Sequence, residues 1–161
     1  MRYHLNYAQL FLLLITVLAN SCNKSEKKQT PPHVNTFSAT VNGLSFIPSG
    51  IEVLYGGSNI PGAKQVNVEA SRGNGHSVVL VMLDYDGTLK TFTQTIGGYS
   101  IGPGLYQTSY SINGEIKIVA IDKTKYTDGE VVNGIFHFDT DSTVGTYDVS
   151  NGNFSVFVAN N

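Results

Sequence analysis

An antiparallel all-β domain is the fold class this sequence predicts, and three observations predict it. From Val34 onward the apolar runs are short and alternate with period two. Gly, Asn, Asp and Pro separate them, with Asn-Gly at 42–43, 113–114, 133–134 and 151–152, a dipeptide that tolerates the positive φ of tight hairpin turns. After residue 33 no stretch carries the spacing of an amphipathic helix. A two-sheet β-sandwich is the first choice and a small closed or half-open β-barrel the alternative.

In chain order, the expected strands are Thr36 to Val41, Gly50 to Tyr55, Gln65 to Ser71, Ser77 to Leu83 and Leu89 to Thr95. Leu105 to Ser111, Glu115 to Ile121, Val131 to Phe138 and Phe154 to Val158 follow. Alternation assigns faces in two of them. Ile116, Ile118 and Ala120 oppose Glu115, Lys117 and Val119, while Phe154, Val156 and Val158 oppose Ser155 and Phe157. Asn133-Gly134 sits inside "VVNGIFHFD", where it marks a bulge or a strand start rather than a hairpin. "GGYSI" at 97–101 and "GTYDV" at 145–149 form a faint internal echo.

Ahead of the domain, Arg2 and His4 precede an apolar run from Leu10 to Ala19 that only Thr16 interrupts. This reads as a targeting segment, residues 1–21, too short for a span of about 20 apolar residues. Cys22 follows directly, the single cysteine of 161 residues, so no internal disulfide exists. Residues 22–33 are polar, lysine-rich and end in Thr30-Pro31-Pro32, the composition of an extended tether. The all-β domain then occupies residues 34–161.

From Val34 onward six Lys and Arg oppose eleven Asp and Glu, and such a surface repels a phosphate backbone. No basic stripe interleaves with aromatics, so no nucleic acid is expected. "DYDGT" at 84–88 spaces Asp84 and Asp86 like the start of a calcium loop, but another strand follows where the remaining oxygen ligands belong, and a hairpin turn is the plainer reading. Asp139 and Asp141 receive the same reading. His33, His76 and His137 lack second ligands at metal spacing, and Phe136 and Phe138 face away from His137. No Gly-x-Ser-x-Gly elbow occurs, and "SRGNGHS" precedes no helix that would make it a phosphate loop. Glu69, Glu115 and Glu130 are scattered acids from which a carboxylate pair would have to assemble. No cofactor is implied.

Tyr85, Tyr99, Tyr106, Tyr110 and Tyr126 fall in or near loops, placed to stack on a sugar or meet a partner protein. Tyrosine is equally a good strand residue that packs.

"LANSC" at 18–22 resembles a bacterial lipoprotein signal, although Leu18 stands four residues before the cysteine instead of three. That resemblance implies diacylation of the Cys22 thiol, removal of the signal, and attachment to a membrane through lipid. "TFSATVNGLSF", "INGEIKIVAIDKTKYTDGEVVNGIFHFDT" and "GTYDVSNGNFSVF" resemble the opening and closing regions of small uncharacterised lipoproteins of the Bacteroidota, which carry an all-β domain of unknown function. The likeness implies a cell-envelope location at the outer membrane. In "NKSEKK" Glu26 stands among three lysines where the surface-export signal of that phylum is acidic, leaving both the periplasmic and the surface face open. Asp141 to Thr143 resembles an O-glycosylation acceptor of such bacteria. The expected function is a lipid-anchored binding or scaffolding module, with a glycan or an envelope protein as partner. A carrier of a small ligand, or a hydrolase whose site assembles from distant strands, is the rival.

Overall fold

The computed structural model describes residues 32–160 apart from 74, 94–95, 103–107 and 142–144. Cys22, the signal, most of the tether, Tyr106 and the acceptor residues 142–143 lie outside the described residues. Ten strands form, and no helix occurs among the described residues: β1 Thr36–Val41, β2 Leu44–Phe46, β3 Gly50–Gly57, β4 Lys64–Ser71, β5 Ser77–Tyr85, β6 Thr91–Phe92, β7 Gly97–Ser100, β8 Thr108–Asp122, β9 Gly129–Asp141 and β10 Tyr147–Ala159. All belong to one antiparallel sheet of order β2-β1-β10-β9-β8-β7-β5-β4-β3, with β6 paired to β8 outside that path. The sheet curls strongly on itself. Of the two architectures expected, the half-open barrel is therefore the one formed, and the core lies inside the curl instead of between two sheets.

Alternation puts the core there. Val66, Val68 and Ala70 of β4, Val78, Leu80 and Met82 of β5, and Val156 and Val158 of β10 are wholly buried. An aromatic group fills the middle, with Phe136 centred 5.1 Å from Phe37 and 6.3 Å from both Phe138 and Phe154. Bulges keep long strands in phase with this interior as the sheet bends. In β8, register shifts between Ser111 and Asn113 and between Ile118 and Ala120 expel Ile112 and Val119, which are 64% and 47% exposed. The second shift also turns Ala120 outward, so it leaves the face it was expected to share with Ile116 and Ile118. Phe154, Val156 and Val158 keep their predicted common face.

The Asn-Gly pairs divide unexpectedly. Asn42 and Gly43, at φ 48° and 78°, make the hairpin between β1 and β2. The other three pairs named above sit inside strands. Gly114 of β8, Gly134 of β9 and Gly152 of β10 are registered opposite Phe138, Phe154 and Phe136. A Cβ on Gly134 would stand 2.3 Å from the Phe154 ring, and one on Gly152 would stand 2.5 Å from three atoms of the Phe136 ring. These glycines are the spaces into which neighbouring phenylalanines fold. The turn expected at 113–114 is accordingly absent, and what reads as two strands is the 15-residue β8. The expected strand Leu89 to Thr95 shortens to β6, with Leu89 65% exposed.

Side chains hold the two edges of the curl. Arg72 donates to the carbonyls of Ser45 and Ile47 and lies 4.9 Å over the Phe46 ring. Across the other end, Ala159 N donates to Tyr55 Oη at 3.0 Å and the Lys64 ammonium donates to the Ala159 carbonyl.

A candidate binding cleft at one end of the half-barrel

That second end opens into a cleft of about 830 Å³, walled by Lys64, Tyr85, Lys123, Tyr126 and Glu130 among others. Register explains the convergence. Lys64 begins β4 opposite Tyr85, the last residue of β5, and Glu130 lies near the start of β9 opposite Val158 of β10. Residues 123–128 connect β8 to β9 over the same end, shaped where Thr124 donates its backbone N–H (2.9 Å) and its hydroxyl (2.8 Å) to Asp122.

Tyr85 reaches the cleft through a change of phase. Between Val66 and Lys64 on one strand and Met82 and Tyr85 on the other the register shifts, and Asp84 there takes a φ of 55°. This bulge turns Tyr85 inward where strict alternation would have placed Asp84. Tyr85 is 1% exposed, and its hydroxyl donates to Glu130 Oε1 at 2.8 Å across the interior of the curl. Glu130 is itself 7% exposed, with Lys123 Nζ 3.6 Å from its Oε2. That second oxygen therefore sits beyond hydrogen-bond distance of the ammonium.

The electrostatics follow from burial. Desolvation pushes the Tyr85 hydroxyl well above its usual value, and the hydrogen bond to Glu130 and the Glu130 charge push the same way. Burial holds the Lys64 ammonium below its usual value, with Glu130 offsetting part of that effect. Asp86, at the rim, is held below the ordinary carboxylate range first by the Thr88 hydroxyl that donates to it. The cleft thus carries two lysines and two acids, one acid deep and one at the surface.

The sequence-predicted residues distribute as follows. Tyr85 and Asp86 line the cleft, whereas Asp84 accepts from the Ser58 hydroxyl. Asp86 accepts from both Thr88 N and Thr88 Oγ1, so the "DYDGT" motif forms a bulge followed by a side-chain-capped turn. Among the described residues no group of three or more His, Cys, Asp or Glu is placed to hold a metal ion. Tyr99 is buried away from the cleft lining, its hydroxyl 2.7 Å from His76 Nδ1 and its ring 4.6 Å from that of Tyr147, so the echoed tyrosines at 99 and 147 pack on each other. Tyr110 is 63% exposed on β8. Glu69, Glu115 and Glu130 are not brought together, since their registered neighbours include Glu52, His137 and Val158 respectively.

Lys64 and Lys123 had no signal of their own in the sequence, because their partners lie 95 and 7 residues away on other elements. Glu130 carried one: it occupies the inward phase shared by Val132, Gly134 and Phe136, a position where an acid requires partners. Comparison with family models, with curated proteins and with solved structures matched this chain to none.

Proposed function

We propose that this chain is a lipid-anchored protein of the cell envelope, attached at the outer membrane through Cys22, and that its half-barrel is a binding module whose ligand enters the cleft beside Glu130. The observation that carries this reading is the cleft itself: a volume within the usual range for ligand sites, with an inward acid held by Tyr85 and flanked by a largely exposed lysine. The signal-like run ahead of Cys22 and the likeness to small Bacteroidota lipoproteins support the anchor.

The first described residues also run beside the cleft. His33 accepts or donates at Ser155 Oγ (3.2 Å) and meets the Tyr126 ring edge-on with centroids 6.5 Å apart. Between Cys22 and Pro32 an extended chain reaches at most about 35 Å, so lipidation would keep the cleft near the membrane. Replacing Cys22 by Ala and fractionating the cells tests the anchor. The variant is expected in the soluble fraction, and unchanged membrane attachment would sink lipidation.

A further inference from the structure

We infer that the ligand of this cleft is a neutral, hydroxyl-rich molecule of the saccharide class, held by Glu130 and Lys123 and apposed to the Tyr126 ring. The inference rests on the reading of the cleft as the binding site and adds the chemistry of what it takes.

Charge narrows the choice first. The lining holds Lys64 and Lys123 against Asp86 and Glu130, so neither a polyanion nor a polycation finds a surplus of opposite charge. Prior engagement narrows it further. The Lys64 ammonium already donates to the Ala159 carbonyl and lies 5.3 Å from the centre of the Tyr55 ring, which leaves it poorly placed to grip a phosphate. Asp86 stands exposed at the rim with both Thr88 donors on its Oδ1, so a second contact from an amine would be made to a solvated, screened carboxylate.

What remains open is an acceptor and a donor side by side. Glu130 uses Oε1 for Tyr85, while the Lys123 ammonium stands 3.6 Å from Oε2. A carboxylate offers about four acceptor positions, so a hydroxyl seated against both this oxygen and the ammonium, bridging them from the side, would accept from the lysine and donate to the acid at once. A sugar's neighbouring hydroxyls have that dual character, and an ammonium or a phosphate has only one half of it. Gly87 borders the pair of Glu130 and Lys123 closely. Gly87, at φ 74°, lies where a Cβ would stand 3.1 Å from Lys123 Nζ and 3.3 Å from Glu130 Oε1.

Tyr126 supplies the aromatic element. It lines the cleft half-buried, held by Phe157 and His33 with ring centroids 5.2 and 6.5 Å away and with the Lys125 ammonium 5.8 Å over its ring. An aromatic side chain held in this way offers apolar surface to the C–H face of a sugar ring at little cost in side-chain freedom.

The full chain, purified in a zwitterionic detergent, is titrated with cellobiose, lactose, maltose and chitobiose to several millimolar, with glucose 6-phosphate and ethanolamine as charged comparisons. Tyrosine fluorescence and saturation-transfer NMR report binding. At least one neutral disaccharide is expected to bind saturably. Lys123→Ala, at a position 61% exposed where folding is not at stake, and Glu130→Gln are each expected to weaken it about tenfold. Binding by glucose 6-phosphate or ethanolamine alone overturns the saccharide assignment while leaving the cleft a binding site. Silence toward every probe, or saccharide binding indifferent to both substitutions, also overturns it, and the Cys22→Ala fractionation stands independent of either result.

Discussion

The hydrogen bond from Tyr85 to Glu130 joins β5 to β9 across the interior of the curl, two strands separated in the sheet by β7 and β8. Replacing Tyr85 by Phe keeps the ring and deletes the donor, leaving a 7% exposed carboxylate with the Lys123 ammonium 3.6 Å away and no hydrogen bond from Tyr85. A loss of about 1.5–3 kcal/mol is expected in urea denaturation near neutral pH, as for hydrogen bonds to charged groups. The pH dependence has a sign. With its pKa raised in the folded state, Tyr85 keeps its proton where the unfolded chain releases one above about pH 10, so native stability falls as pH rises beyond that point. Lys64 acts oppositely, since its lowered pKa means the folded chain binds fewer protons than the unfolded one and gains stability as pH rises through the same alkaline range. Denaturation midpoints between pH 9 and 11 therefore distinguish the two groups. Tyr85→Phe should flatten the alkaline decline or turn it upward, and an unchanged slope would assign that decline to other tyrosines such as Tyr99, which burial also raises.

At the scale of elements, the reciprocal pairs of glycine and phenylalanine organise β9 and β10. Gly134 receives Phe154 and Gly152 receives Phe136, each across one register position of the same strand pair. Gly152→Ala places a methyl within 2.5 Å of the Phe136 ring, and the ring has Phe37, Phe138 and Phe154 around it. Overpacking of this kind costs about 1–3 kcal/mol. Because the strain lies in one contact, Gly152→Ala combined with Phe136→Leu should be less destabilised than the sum of the single variants, measured as a double-mutant cycle. Strict additivity would mean that the ring moves aside freely. The same glycines explain which elements were legible in the sequence. Strands β1, β3, β4 and β5 stand out through period-two runs, and β1 keeps its predicted ends. Asn113-Gly114 and Asn151-Gly152 imitate hairpin turns because the dipeptide reports a positive φ or a missing side chain, and a bulge inside a strand or a facing phenylalanine needs either one. The three-residue β2 and the glycine-led β7 lack enough alternation to be seen. The cleft was less legible still, since Lys64, Tyr85 and Glu130 lie on three strands and a bulge at Asp84 decides which way Tyr85 points.

For the whole half-barrel, stability is concentrated unevenly along the sheet. The strands of 15, 13 and 13 residues, β8, β9 and β10, adjoin one another, whereas β3 is an edge whose residues are all partly or fully exposed. Past its pairing with β4, β3 is tied across the opening by Tyr55, which accepts from Ala159 N. This contact and the Lys64 ammonium at the Ala159 carbonyl make the seam that closes the cleft end of the curl. Structures built this way open locally where few buried contacts hold them, well before the central strands exchange. Tyr55→Phe removes the acceptor at the seam while keeping the ring beside Lys64. In hydrogen exchange followed by mass spectrometry, the amides of β3 and the end of β10 are expected to exchange about five- to tenfold faster, which corresponds to a bond contributing about 1 kcal/mol. Amides in the middle of β8 and β9 should be unaffected. Equal acceleration across β8 and β9 would show instead that the seam belongs to one global unfolding unit. A confined effect would identify the seam between β3 and the end of β10 as an edge of the curl that opens by itself while the long strands β8 and β9 stay paired.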